Sequence, residues 1–275
     1  MRKHLSTVIV ILALVIGLSL ILYPIASDVL NNINHKRAIN SYISKVHEIE
    51  PETCNDIIEK AKQYNENLSN SHPILQNLTE EELKEYESLL DITGTGIMGY
   101  IDIPIIDVHL PIYHGADESV LQVGVGHIEG SSLPVGGEST HSVLSGHRGL
   151  PSATLFTNID RLVEGDVFMI YVLNETYTYE VDNIQVIEPQ NTNPLQIEEG
   201  EDYCTLFTCT PYGINTHRLL VRGHRIENLP EGTVVMGTGR SEAANVSALS
   251  VILFAEIPIM LLTVIIVILR YRKKR

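Results

Sequence analysis

Several residue types are scarce in this chain of 275 residues, and each scarcity excludes a class of protein. Tryptophan is absent, and only three cysteines occur, Cys54, Cys204 and Cys209. Small exported domains that depend on disulfides carry many more, so a disulfide framework is excluded. Basic residues are also few, 19 Lys and Arg against 34 Asp and Glu, for a formal net charge of −15. Such an acidic chain is a poor partner for nucleic acid or an anionic membrane surface.

Two apolar runs, residues 7–22 and 248–269, are each close to the length of about 20 residues that a helix needs to cross a membrane. The first follows Arg2 and Lys3, and the second precedes five basic residues. Because basic flanks favour the cytoplasm, we expect two membrane spans, both termini in the cytoplasm, and the intervening chain outside the cell. The alternatives are a cleaved signal peptide for the first run and a buried soluble helix for the second, which contains Glu256 and Pro258.

The patterning of the chain predicts five segments. Residues 1–26 form the cytoplasmic tip and first span, and residues 27–97 an external helical arm, in which Thr79 and Glu82 match a capping box. Residues 98–225 consist of short β-rich runs separated by Gly and Pro, which indicates a closed β-barrel or a sandwich. A polar stalk (226–245) and the second span with its basic tail (246–275) complete the chain.

Cys209 is the candidate nucleophile, because it ends a strand-like run and so is presented from a rigid support. A thiol reacts as the thiolate and therefore needs neighbours that stabilise negative charge. Arg218 starts the next β-rich run and can lie beside Cys209 if the two runs pair, with its guanidinium available to an oxyanion. His147, between Gly146 and Gly149, is the candidate base. The alternative is a buried thiol, a turn histidine and a surface arginine.

Four runs of sequence stand out: Gly99-Tyr100-Ile101-Asp102-Ile103-Pro104, Gly126-His127-Ile128-Glu129-Gly130, Ser145-Gly146-His147-Arg148-Gly149-Leu150-Pro151, and Thr205-Leu206-Phe207-Thr208-Cys209-Thr210-Pro211-Tyr212-Gly213 continuing to Gly223. Together they resemble the sortase family, and class C, the pilin-polymerising sortases, in particular. The resemblance implies a mainly β fold: a closed barrel of about eight strands with short helices, preceded by the helical arm and flanked by the two transmembrane helices. A second span near the C-terminus also fits class C.

In the sortase family the residues that match His147, Cys209 and Arg218 are catalytic. The resemblance therefore implies a cysteine transpeptidase without metal or nucleotide cofactor. It would cleave a Leu-Pro-x-Thr-Gly-like sorting signal through a thioester and transfer it to a lysine amine of a pilin. The alternatives are a sortase that anchors surface proteins to the cell wall, a cysteine protease that uses water, and a non-catalytic membrane scaffold. We expect the loop of residues 188–201 to border the substrate groove.

Other residues near these motifs receive narrower predictions. Thr208 either contacts the substrate beside the nucleophile or packs within its strand. His217 should point away from Arg218 and be structural, as should His127. Class C sortases commonly carry an Asp-Pro-aromatic lid, which is absent from residues 35–97. The nearest equivalent is His72, Pro73 and Ile74, which either form a lid over Cys209 or simply connect two helices.

Overall fold

The computed structural model describes residues 2–71 and 78–230. Along the chain, its helices and strands are α1 (Arg2–Glu48), α2 (Pro51–Ser71), α3 (Glu80–Ser88), β1 (Ile97–Ile103), β2 (Val108–His114), α4 (Glu118–Leu121), β3 (Val125–His127), β4 (Thr140–Ser145), β5 (Val167–Val172), β6 (Glu175–Ile187), β7 (Asp202–Thr210) and β8 (His217–Ile226). Short 3-10 turns occur at Pro104–Ile106, Ile159–Arg161 and Asn193–Leu195.

The eight strands form a closed barrel in the order β1-β2-β3-β4-β7-β8-β6-β5. Closure leaves no unpaired sheet edge, as the family resemblance predicts. Most neighbours are antiparallel, but β2 pairs with β3, and β4 with β7, in parallel. Because β4 and β7 are parallel, both strands run in the same direction, and the residues that follow them leave the barrel at the same end.

The N-terminal helical arm is part of the barrel's hydrophobic core. Cys54, Ile58, Ala61 and Tyr64 lie on one side of α2, at helical spacing, and are buried in the same cluster as barrel residues. Asn65 is 1% exposed and pairs with both backbone groups of Leu133, at 3.0 and 2.7 Å. Because these contacts bury apolar surface and satisfy buried polar groups, the arm stabilises the barrel.

Two predictions for the arm have different outcomes. The capping box is confirmed: the Thr79 hydroxyl accepts from the backbone of Glu82, and the Glu82 carboxylate accepts from the backbone N–H of Thr79. The polar run from Ser69 to Pro73 predicts a loop, but α2 continues to Ser71. The proposed lid residues His72, Pro73 and Ile74 lie outside the described residues.

One helix among the described residues is long and apolar enough to span a membrane, the stretch Leu12–Glu48 of α1, whose most apolar window is not buried. It carries the first predicted span. The second, in residues 246–275, lies outside the described residues, as does the expected stalk beyond residue 230.

Candidate active site

Cys209 and Arg218 are direct cross-strand partners on β7 and β8. Opposite residues of an antiparallel pair project to the same face, with Cβ atoms about 5 Å apart. Alternation along β8 sends Leu219 and Val221 into the barrel core and leaves Arg218 with Leu220 on the outer face. Cys209 and Arg218 therefore share the outside of the barrel, as their spacing predicts.

His147 reaches this place through the parallel pairing of β4 with β7. The last pair in register is Ser145 with Phe207, and two further residues on each chain lead to His147 and Cys209. The contact continues past the ladder, because the Gly146 N–H donates to the carbonyl of Phe207 at 3.1 Å. The three candidate residues thus lie at the same end of three adjacent strands, β4, β7 and β8.

Two hydrogen bonds join the neighbours of His147 to the neighbours of Cys209. The Thr208 hydroxyl donates to the Gly146 carbonyl at 2.7 Å, and Arg148 Nη1 donates to the Thr210 hydroxyl at 3.0 Å. We call this pair of bonds the threonine clamp. The threonine clamp joins the residues on both sides of His147 to those on both sides of Cys209. It therefore fixes the distance between the two segments that carry the imidazole and the thiol.

Thr208 therefore has a different position from the one its proximity to Cys209 suggested. It is 1% exposed and projects to the opposite face of β7 from Cys209. Its hydroxyl bonds to the Gly146 carbonyl, which favours the packing role in the strand over a substrate contact. The sequence did not settle this choice, because both readings suit a threonine in a strand.

Arg148 also supports the site, although its sequence context alone does not indicate this role. Its side chain is only 9% exposed and forms an ion pair with Asp160. Its Nε also donates to the carbonyl of Thr157, at 3.3 Å. A buried guanidinium requires such partners, and they fix the turn that carries His147.

Gly146 and Gly149 allow this turn to approach its neighbours closely. A Cβ on Gly146 would lie 2.6 Å from the ring of Phe156, a distance that real contacts do not reach. Gly149 has φ +83°, a conformation that residues with a side chain adopt rarely, and it packs against Tyr212. Both glycines are required by this geometry.

Among the three free cysteines, Cys209 is the one that is partly exposed. Cys204 lies on the opposite face of β7, inside the barrel, where burial raises the pKa of its thiol well above the ordinary value. Cys54 lies on α2 of the arm and is buried against the barrel. Accessibility and the neighbouring arginine thus single out Cys209 as the thiol able to meet a substrate.

Arg218 is oriented by its own loop. Its Nη1 donates to the carbonyls of Asn215 and His217, at 3.1 and 3.0 Å. No acidic side chain within the described ranges forms a salt bridge with Arg218, in contrast to Arg148 and Arg222. Its guanidinium charge is consequently available to an anionic group that forms beside Cys209.

The outer face beside Cys209 carries a small apolar cluster, which we call the outer patch. It contains Val143, Ile187, Leu195 and Leu220, with partly buried Ile128 and Phe207 packed against them. Leu195 belongs to the loop 188–201. This loop contacts β4 through a hydrogen bond between His141 Nδ1 and the carbonyl of Gln196, at 2.9 Å. The loop therefore packs over the outer face of the strands that carry the candidate residues.

The other histidines near the motifs occupy positions away from the thiol. His127 is fully buried, with Nδ1 3.0 Å from the Tyr86 hydroxyl and Nε2 2.8 Å from the Ser132 carbonyl, which is a structural role. His217 pairs with Thr210 on the opposite face from Arg218 and is exposed. The described part of the chain contains no group of three or more His, Cys, Asp or Glu placed to hold a metal ion.

The fold is a closed eight-stranded barrel that carries a thiol, an imidazole and a guanidinium at the ends of adjacent strands. These are the side chains of an enzyme that uses a cysteine nucleophile. The model of the sortase domain matches residues 101–226. Sortase C1 of Streptococcus agalactiae is 53% identical in sequence with a TM-score of 0.68, over 70% of this chain and 99% of that one. Sortase C-1 of Actinomyces oris is 48% identical with a TM-score of 0.60, over 64% and 99% of the two chains.

Curated relatives show the same family at lower identity. Sortase D of Bacillus subtilis is 30% identical over 131 residues, which is 46% of this chain and 63% of that protein. The chain thus matches less than two thirds of the length of this relative. The chain belongs to the sortase family, and its similarity to the solved C1 structures assigns it to class C.

Proposed function

We propose that this protein is a pilin-polymerising cysteine transpeptidase in which Cys209, His147 and Arg218 carry out the chemistry. The proposal is supported by the strand register, in which Cys209 pairs with Arg218 and His147 follows β4 at the same end of the barrel. Among the similar solved structures, that of Streptococcus pneumoniae sortase C, 41% identical, is described in terms of pilin substrate specificity. This likeness favours a pilin as the substrate and a pilin lysine as the acceptor.

In the first half of the reaction, the thiolate of Cys209 attacks the carbonyl carbon of the Thr–Gly bond in a Leu-Pro-x-Thr-Gly-like signal. Arg218 donates to the oxyanion of the tetrahedral intermediate. The C–N bond then breaks as the imidazolium of His147 gives its proton to the leaving amine. The products are a thioester on Cys209, a neutral imidazole and the released peptide fragment with its free amine.

In the second half, a lysine amine attacks the thioester carbonyl and gives its proton to His147. The new C–N bond forms, the C–S bond breaks, and the thiolate and imidazolium are restored. The energy of the original peptide bond is retained in the thioester, so the exchange requires no nucleotide. Bound water must be kept from the thioester for the amine to compete, and the amine must approach on the side of His147.

We further propose that the barrel lies outside the cell, held by the apolar helix at the N-terminus and by a second span in residues 246–275. The apolar stretch of α1 supports the first anchor. The strongly acidic composition supports an external domain that attracts basic segments of its partners. Labelling of single introduced cysteines from outside intact cells would test both the orientation and the number of spans.

The reaction is tested with the full chain in detergent, a Leu-Pro-x-Thr-Gly peptide and a lysine-containing acceptor peptide. We expect an amine-dependent product that Cys209→Ala abolishes and that the matched control Cys54→Ala retains. Arg218→Lys keeps the charge but loses the planar fork, and should be far less active. Hydrolysis that does not respond to amine would point to a protease, and transfer restricted to a cell-wall precursor would point to an anchoring sortase.

A further inference from the structure

Glu118 contacts the candidate acid–base residue from a separate part of the chain. It lies in α4, 29 residues before His147, and its Oε2 is 3.2 Å from Nε2 of the imidazole. The His147 side chain is 24% exposed and that of Glu118 is 68% exposed. Sequence spacing gives no indication of this contact, because it depends on where α4 rests between β2 and β3.

The carboxylate of Glu118 is itself held by a second residue. Gln122 Nε2 donates to the other carboxylate oxygen, Oε1, at 3.1 Å, one helical turn away. Each oxygen therefore has one partner, and the plane of the carboxylate is defined. The bond from Gln122, followed by the charge of His147, lowers the pKa of Glu118, so the group is ionised at neutral pH and acts only as an acceptor.

An imidazole whose Nε2 faces a carboxylate carries its proton on Nε2, and the lone pair is then on Nδ1. The sequence offered no acid for this task, and the geometry narrows the choice. Asp160, the first acidic residue after His147 along the chain, is engaged by Arg148. Within the described residues, Glu118 is the acidic residue that forms an ion pair with His147.

We propose that Glu118, held by Gln122, is a positioning residue for His147: it fixes the ring orientation and the tautomer that leaves Nδ1 to exchange protons with the leaving and incoming amines. The inference rests on the proposed function, since orientation matters only if His147 transfers protons. Because Glu118 is largely solvated, its charge is screened. Its contribution comes from geometry and is a fraction of the roughly 10²- to 10⁴-fold supplied by an acid–base residue itself.

Four variants test this role in the full chain in detergent. Glu118→Ala should lower kcat for transpeptidation about tenfold while changing KM for the sorting peptide less than about twofold. Glu118→Gln still accepts from Nε2–H and should recover most of the loss. Gln122→Ala should show a smaller loss, about twofold to threefold, because it frees only one carboxylate oxygen. Glu164→Gln, at another exposed carboxylate, should match the parent protein.

The tautomer gives a readout that a merely structural role would not change. With ¹⁵N-labelled histidine, the signal lost in His147→Asn identifies the ring, and the neutral form of this ring in the parent protein should report a protonated Nε2 and an unprotonated Nδ1. Glu118→Ala should shift this signal towards a mixture of tautomers, while Glu118→Gln should keep it. An unchanged signal together with unchanged kcat in Glu118→Ala would overturn the proposal, as would a neutral ring in the parent protein that carries its proton on Nδ1. A parent protein with the expected signal but no transpeptidation would instead refute the proposed function.

Discussion

Replacing Thr208 by valine tests whether the threonine clamp holds the active site together. The side chain is 1% exposed, and its hydroxyl donates to the Gly146 carbonyl at 2.7 Å. Valine has a similar shape, so the substitution removes the donor without opening a large cavity. The Gly146 carbonyl then loses its side-chain partner in a place where few alternatives exist.

The expected cost follows from the burial of this bond. Leaving a buried acceptor unsatisfied costs about 1–3 kcal/mol, which corresponds to a fall in Tm of roughly 3–10 °C for a domain of this size. Activity should fall further than stability explains, since a misplacement of about 1 Å between reacting groups can cost about 100-fold. The two effects are measured by thermal unfolding and by kcat for transpeptidation at a temperature where the variant is folded.

Thr176→Val is the matched control, because Thr176 is a half-buried strand residue on β6, away from the site. It should change Tm and kcat little. If Thr208→Val keeps full activity while losing stability, the bond supports the fold but does not set the distance between His147 and Cys209. If it changes neither quantity, the clamp has no energetic role and does not hold the site together.

Three further changes test the packing of the barrel. Tyr42→Phe removes a buried hydroxyl that bonds two backbone groups of the barrel, so the free energy of unfolding should fall by roughly 2–4 kcal/mol in denaturant titrations; an unchanged midpoint would mean that the arm is not anchored there. Gly146→Ala places a Cβ 2.6 Å from the Phe156 ring and should lower kcat strongly, whereas wild-type activity would show that the turn can yield. Burial lowers the pKa of His127 and of His141 to about 4, below the unfolded value of about 6.5. The unfolded state therefore binds protons more readily, and stability is lost as pH falls from about 6.5 to 4. At pH 5 each histidine should lower the free energy of unfolding by roughly 2 kcal/mol relative to pH 7. Guanidinium titrations that give the same free energy of unfolding at both pH values would contradict the assignment.

Strand alternation and motif resemblance predicted most of the barrel and the pairing that places Arg218 beside Cys209. The pattern of β8 correctly sends Leu219 and Val221 inward and Arg218 outward. The short strand β3, Val125–His127, was not predicted, because three residues are too few to display alternation. Its parallel pairing with β2 depends on the whole barrel and on no local signal.

The contacts of the residues that support the site could not be predicted from the sequence for a related reason. Arg148 with Thr210, and Glu118 with His147, join positions separated by 62 and 29 residues. Such contacts are decided by which strands become neighbours, and the residues alone do not specify that β4 lies beside β7. A polar residue near a motif is equally compatible with a solvated surface, so its partner can be named only from the fold.

The two faces of β7 explain why the site tolerates little variation in register. Odd-numbered residues such as Phe207 and Cys209 face outward, while even-numbered residues such as Leu206 and Thr208 face the interior. A slip of one residue would bury the thiol and expose the threonine that bonds the His147 turn. The core contacts of Leu206 oppose that slip, because it would move a fully buried side chain into water at a cost of about 1.5–3 kcal/mol. The hydrophobic core that stabilises the barrel therefore also keeps Cys209 beside Arg218, so stability and catalytic geometry depend on the same alternation.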